Sequence, residues 1–174
     1  MFTYTKKTQS GRSMIEMLGV LAIVGVLSAG GIAGYSMAMQ SYKTTSLIDK
    51  VNLISQRVRT TYKGSYGNNT AIVSTDNNTC TGTLIDAGKI SANDAVNPFG
   101  GCITVSGISA NFTVTASSVP AESCVDLMTA EWGSSGVFTS VQAGTNAART
   151  SAPVATADAI TDCKAGGNVV FTFK

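Results

Sequence analysis

The stretch that decides the fold reads Gly11-Arg12-Ser13-Met14-Ile15-Glu16, followed by MLGVLAIVGVLSAGGIAGYSMAM over residues 17–39. None of those 23 following positions carries a charge. An α-helix needs only about 20 apolar residues to cross a bilayer core. Lys6, Lys7 and Arg12 precede the run, and by the positive-inside rule they place the N-terminus in the cytoplasm. The segment is therefore expected to enter a membrane at some stage.

Glu16 is the unexpected residue, because it stands at the head of an otherwise apolar helix. A carboxylate at membrane depth costs about 2.5–3.5 kcal/mol on insertion scales, so its presence indicates a partner. Three interpretations remain open. The run is a signal peptide cleaved near the small residues 28–31, a simple anchor, or a segment that is first an anchor and later the core of a filament. Only the third gives Glu16 a partner, on a neighbouring subunit; otherwise Glu16 reaches back to the membrane surface.

The composition favours a β-rich exported domain rather than a charged cytosolic enzyme, since only 13% of the 174 residues are charged. Residues 1–63 carry eight Lys or Arg against two acids, a net +6, whereas residues 64–174 carry four against eight, a net −4. The basic residues form no dense patch, so nucleic-acid binding is not expected.

The sequence predicts neither catalysis nor a cofactor. The chain has no histidine, and it shows no Ser/His/Asp set, no phosphate-binding loop and no paired-carboxylate motif. Asp158 and Asp162 lie four residues apart and could meet on a cation such as calcium, but solvated surface carboxylates are far more common. We therefore expect no enzyme activity, no cofactor and no metal site.

The four cysteines, Cys80, Cys102, Cys124 and Cys163, are spaced too widely for the close pairs typical of zinc sites. An even number behind an export-like N-terminus favours two disulfides, although four free thiols in a reducing compartment remain the alternative. Three pairings are possible. Sequential closure into Cys80–Cys102 and Cys124–Cys163 is preferred because it needs the smallest loops.

Helical periodicity continues beyond the apolar run. An apolar stripe with spacings of four, three, four and four comprises Leu47, Val51, Ile54, Val58 and Tyr62. This pattern predicts one helix from about Met14 to Lys63, roughly 75 Å long, ended by the turn-forming residues 64–69. Its second half is expected to pack on a sheet.

The remainder is expected to form short elements. Extended segments are predicted at 70–74, 137–141 and 168–173, and a hairpin is predicted from 102–105 and 111–115 with Gly107 near its turn. A short helix or turn is predicted at 84–90 and a longer helix over 121–132. Residues 143–159 are predicted to form an exposed loop.

The N-terminal stretch resembles the prepilin signature of type IV pilins, a short basic leader ending in Gly and an apolar helix whose fifth residue is Glu. The resemblance implies cleavage after Gly11 by a prepilin peptidase, which would make Arg12 the new, N-methylated terminus and Glu16 the fifth residue. The family usually has Phe, Met or Leu after the cut, and this chain has Arg12. The freed amine of Arg12 in one subunit would pair with Glu16 of the next.

NPFGG at 97–101, the segment around Cys124 and the ending from Cys163 resemble the head of type IVb pilins, in which one disulfide joins the C-terminal region to the sheet; here that bridge would be Cys124–Cys163. The implied fold is α+β, a long N-terminal helix packed on an antiparallel head in the type IV pilin fold. The implied segments are a leader (1–11), a membrane and filament-core helix (12–39), an amphipathic helix (40–63) and a disulfide-linked head (64–174).

The implied function is that of a pilus subunit. It would lie in the inner membrane as a precursor and then, through the pilus assembly machinery, in a homo-oligomeric filament on the bacterial surface. The alternatives are a minor pilin, a type II secretion pseudopilin, or a membrane-anchored or secreted binding domain.

Overall fold

A computed structural model describes residues 14–133 and 137–174. The helices and strands follow one another in an α+β order. They are α1 (Met14–Tyr62), β1 (Ser74–Asp76), β2 (Thr79–Thr81), α2 (Thr83–Asp86), α3 (Ala92–Ala95), β3 (Thr104–Ile108), β4 (Asn111–Val119), α4 (Ala121–Thr129), β5 (Phe138–Ala143), α5 (Thr156–Asp162) and β6 (Gly167–Phe173). The chain divides into two compact units between Met39 and Gln40.

The described part of the first unit, residues 14–39, is helical throughout and has no core of its own. Its large apolar side chains are exposed, from 36% at Met39 to 87% at Met14. An 18-residue window of α1 has a mean hydropathy of 2.1, so by length and composition the helix could cross a membrane. A helix that is apolar on all sides is suited to lipid or to the interior of a larger assembly.

The second unit, Gln40–Lys174, is a head built around the amphipathic end of α1. Leu47, Val51, Ile54 and Val58 are fully buried and belong to one core cluster with aromatic residues of the sheet. This is the predicted stripe, apart from Tyr62, which is half-buried at its end. The helix ends because Lys63 and Gly64 adopt positive φ angles of 50° and 84°, which reverse the chain.

A four-stranded antiparallel sheet forms the other layer of the head, in the order β3-β4-β6-β5. β4 and β6 are central, and their inward-facing residues alternate along each strand. Phe112, Phe171 and Phe173 are fully or almost fully buried, and Phe112 stacks on Phe173 at 5.6 Å between ring centroids. The alternation of apolar and polar residues in β6 thus produces the core face that the sequence predicts.

Both edges of this sheet are partly covered by the chain itself. β3 pairs at its outer side with the segment after α1, through bridges from Val105 to Val73 and from Ser109 to Gly67. β5 pairs in the same way with a returning loop, through Val141 and Arg149. Covered edges are one means by which proteins prevent uncontrolled strand pairing between copies.

Two disulfide bonds join neighbouring elements of the head. Cys80 of β2 is bonded to Cys102, just before β3, and Cys124 of α4 is bonded to Cys163, directly after α5. These are the two pairs that sequential closure favours. All four cysteines are buried.

Several details differ from the sequence predictions. Gly107 lies inside β3, and the hairpin turn is made by Ser109 and Ala110. The helix expected to reach Trp132 ends at Thr129. The loop predicted to be exposed over 143–159 contains the buried residue Val154 and the first residues of α5. Small and polar residues give no apolar periodicity there, and the Cys124–Cys163 disulfide holds the helix in place.

Candidate assembly surface

The predicted processing site, Gly11 and Arg12, lies outside the described residues. Glu16, the third member of the predicted set, is in the first turn of α1 as described, and it is exposed. The pairing proposed for Glu16 is between copies, so a single chain does not contain it. Of the three predicted residues, the structure therefore describes Glu16 alone.

The surface that continues from Glu16 is apolar on every side of the helix. Met17, Leu21, Val24 and Leu27 are each more than half exposed, and the same holds for the large apolar side chains between them. Full burial of one such side chain contributes about 1.5–3 kcal/mol relative to exposure. This surface is suited to association with lipid or with other copies.

Five glycines interrupt this apolar surface at positions 19, 25, 30, 31 and 34. An ideal Cβ built on any of them would meet nothing within 4 Å. No contact with the residues that the structure describes therefore requires glycine there, and α1 remains continuous through all five. Glycine at exposed helical positions costs about 1 kcal/mol relative to Ala, whereas it allows two helices to approach closely.

At the start of the head, polar contacts connect α1 with the beginning of α4. Gln40 Nε2 donates to Glu122 Oε2 at 3.0 Å, and Thr44 Oγ1 donates to Ser123 Oγ at 2.9 Å. Thr44 and Ser123 are buried, so their hydroxyls satisfy each other where water is excluded. These contacts place Glu122 level with the first turn of the helix in the head.

The two carboxylates considered for a cation are held by a side chain of the same protein. Arg149 Nε donates to Asp162 Oδ2 at 2.8 Å, and its Nη1 lies 3.3 Å from Asp158 Oδ2. The hydrogen bond from Arg149 to Asp162 raises the pKa of the guanidinium, and both carboxylates add to the effect. Within residues 14–133 and 137–174, no group of three or more His, Cys, Asp or Glu is arranged to hold a metal ion.

Sequence reasoning missed Arg149, which connects α5 to the loop that covers β5. Asn146 Nδ2 also donates to the carbonyl of Asp162, at 2.7 Å. An isolated Arg in a small, polar segment carries no periodic signal. The one indication in the sequence was the net negative charge of residues 64–174, which makes ion pairing of an isolated Arg with a carboxylate favourable.

Comparison with known proteins identifies the family to which this chain is related. A family model described as PilS N terminal matches residues 41–174. The toxin coregulated pilin of Vibrio cholerae is 37% identical over 100 residues, and the toxin coregulated pilin of Vibrio cholerae serotype O1 is 35% identical over 100 residues. Each match covers 56% of this chain and 44% of the relative, so the matched region spans less than half the length of these curated relatives.

Among solved structures, the crystal structure of TcpA, a type IV pilin from the Vibrio cholerae El Tor biotype, superposes with a TM-score of 0.50 and 18% identity. The superposition covers 75% of this chain and 98% of that one. This confirms the predicted α+β fold with its long N-terminal helix. The chain belongs to the PilS N-terminal family, and its fold is that of a type IV pilin.

Proposed function

We propose that this protein is a structural subunit of a type IVb-like pilus. The observation that carries the proposal is the exposed apolar helix of residues 14–39, attached to a head of the pilin fold that has a complete core of its own. An uncovered apolar surface of this length has to be buried elsewhere. The membrane buries it before assembly, and parallel copies bury it in the filament.

The proposed assembly begins with removal of residues 1–11 by a prepilin peptidase on the cytoplasmic side of the inner membrane. Cleavage frees the α-amine of Arg12, a cation near neutral pH. Glu16 of the neighbouring subunit pairs with that amine. Either charge alone is unfavourable in a low dielectric, so subunits that are misaligned along the filament axis are disfavoured. The pair therefore selects the correct axial alignment of neighbouring subunits more than it stabilises the filament. The pilus assembly machinery then extracts the subunit into a filament on the cell surface.

Replacement of Glu16 tests this assignment directly. We expect Glu16→Ala to be inserted and processed normally but to form no filaments, and Glu16→Gln, which preserves the shape and removes the charge, to behave in the same way. Removing one partner of a buried pair costs about 3–5 kcal/mol, more than a hundredfold in association per contact. Asp49→Asn, a charge removal on the exposed face of α1 in the head, is the control.

Electron microscopy and a membrane fractionation of the same cells supply the two readouts. Filaments of normal number and length from Glu16→Gln would contradict the pairing. Filaments composed of this one chain would also separate a major subunit from a minor pilin or a pseudopilin, which would be found in small amounts beside another subunit.

A further inference from the structure

The described part of the chain contains a basic pocket that the proposed assembly through α1 does not use. It is a depression open to solvent, formed where α1 ends and β6 ends, with a volume of about 360 Å³. Its walls are Arg59, Lys63, Gly64, Tyr66 and Lys174. Three of the five residues have cationic side chains, and across the described ranges no side-chain carboxylate lies within ion-pair distance of any of them.

Tyr66 contributes the neutral hydrogen-bond donor of this pocket. The residue is only 3% exposed, and no described residue forms a hydrogen bond with its hydroxyl, although the ring lines the pocket. Burial raises the pKa of Tyr66, while the charge of Arg59 lowers it to a smaller extent. The hydroxyl therefore stays protonated at neutral pH and is available to donate to an anion.

The chemistry of the walls selects a carboxylate or another compact anion. Arg and Lys supply charge-assisted donors, and a phenol adds one neutral donor. Carboxylates that could bind such a pocket are present on another surface of the same head. Glu122 and Asp126 lie one turn apart on the exposed face of α4, and neither is ion-paired with any described cation. No Lys or Arg occurs in the sequence between Lys89 and Arg149.

The two charged surfaces lie at different levels of α1. Glu122 is hydrogen-bonded to Gln40, whereas the pocket is lined by Arg59 and Lys63. At about 1.5 Å per residue, these levels are separated by roughly 30 Å along the helix axis. A copy displaced by that distance along the axis, with its helix parallel, would bring its acidic surface level with the pocket of the first copy.

We propose that the pocket of one copy binds the α4 carboxylates, Glu122 and Asp126, of a second copy displaced along the helix axis. The contact uses two different surfaces, so it is heterologous and can repeat without closing, as a filament requires. It rests on the proposed function, because parallel copies of this chain are what bring the two surfaces together. The contact fixes axial spacing through the heads, independently of Glu16.

Zero-length cross-linking of purified filaments with a carbodiimide tests the contact. The reagent joins a lysine amine to a carboxylate only when the two groups touch. We expect mass spectrometry to find Lys63 or Lys174 joined to Glu122 or Asp126. Filaments grown from a mixture of isotopically labelled and unlabelled chains identify links between copies, since such links contain one peptide of each kind.

The matched variants are Lys63→Gln/Lys174→Gln and, as a control, Lys89→Gln, which removes a lysine outside the pocket. We expect the double variant to lose the cross-link and its filaments to dissociate at a lower NaCl concentration than wild-type filaments, with the control unchanged. Mixed-label links from these lysines only to other acids, or equal salt resistance of the double variant, would overturn the proposal. Failure of the wild-type chain to form filaments would instead count against the proposed function.

Discussion

At the scale of single residues, the structure gives Gly107 a role that its sequence position does not suggest. A glycine between two short strands predicts a turn, but Gly107 is inside β3 with its partner Phe112 opposite it in β4. A Cβ at this position would lie 2.5 Å from the carbonyl oxygen of Tyr66. Glycine is required because the backbone after α1 crosses the strand closely, a long-range contact that no local pattern reveals.

Gly107→Ala is therefore expected to destabilise the head by about 1–3 kcal/mol, since the obstacle is backbone rather than a flexible side chain. Ser106→Ala, on the same strand, is the control and should cost less than about 1 kcal/mol. Denaturant unfolding of the detergent-solubilised full chain can be followed through Trp132, the one tryptophan, whose ring centroid lies 4.3 Å from that of Phe171. Equal midpoints for the two variants would refute the explanation.

At the scale of secondary-structure elements, strong apolar periodicity predicts the positions of helices and strands well, whereas local composition predicts them poorly. The long helix α1 and the final strand β6 follow from their apolar spacing. α1 ends one residue before its predicted end, and β6 begins one residue before its predicted start. The short hairpin of β1 and β2 and the four-residue helix α3 were missed although both carry local signals. Asn77 and Asn78 adopt positive φ angles at the hairpin turn, and Ser91 and Asp94 form a capping box at the start of α3. α5 was missed because tertiary contacts, the Cys124–Cys163 disulfide and Arg149, hold it in place.

Arg149 connects two of these elements, and its removal should act locally. We expect Arg149→Ala to release the loop from the outer edge of β5, because the backbone bonds between Val141 and residue 149 lose the side-chain attachment to Asp162. Hydrogen exchange at the amides of residues 141 and 149 should accelerate, whereas exchange at Phe171 in the central strand should not. Arg149→Lys, which retains the charge but loses the two-point hydrogen bond, should show an intermediate effect.

Unchanged exchange at residues 141 and 149 in Arg149→Ala would mean that the loop is held by its other contacts. The hydrogen bond from Asn146 to the carbonyl of Asp162 would then be the first of those contacts to remove.

At the scale of the whole molecule, the two units have opposite properties. The head has a buried core, two disulfides and covered sheet edges. The described residues of the first unit have none of these, and their apolar side chains are exposed. The sequence predicts this contrast because hydropathy and charge change along the chain. It does not predict how copies fit together, since the partner surfaces, including the basic pocket, depend on residues far apart in sequence.

The most direct test of the proposed function is the intact mass of the subunit in purified native filaments, supported by N-terminal sequencing. We predict a chain that starts at Arg12, lacks residues 1–11 and retains the whole apolar helix. A chain that starts near Gly31 or Gly34 would indicate an ordinary signal peptide. An intact Met1 would indicate a simple anchor and would contradict the pairing of Glu16 with a freed Arg12 amine.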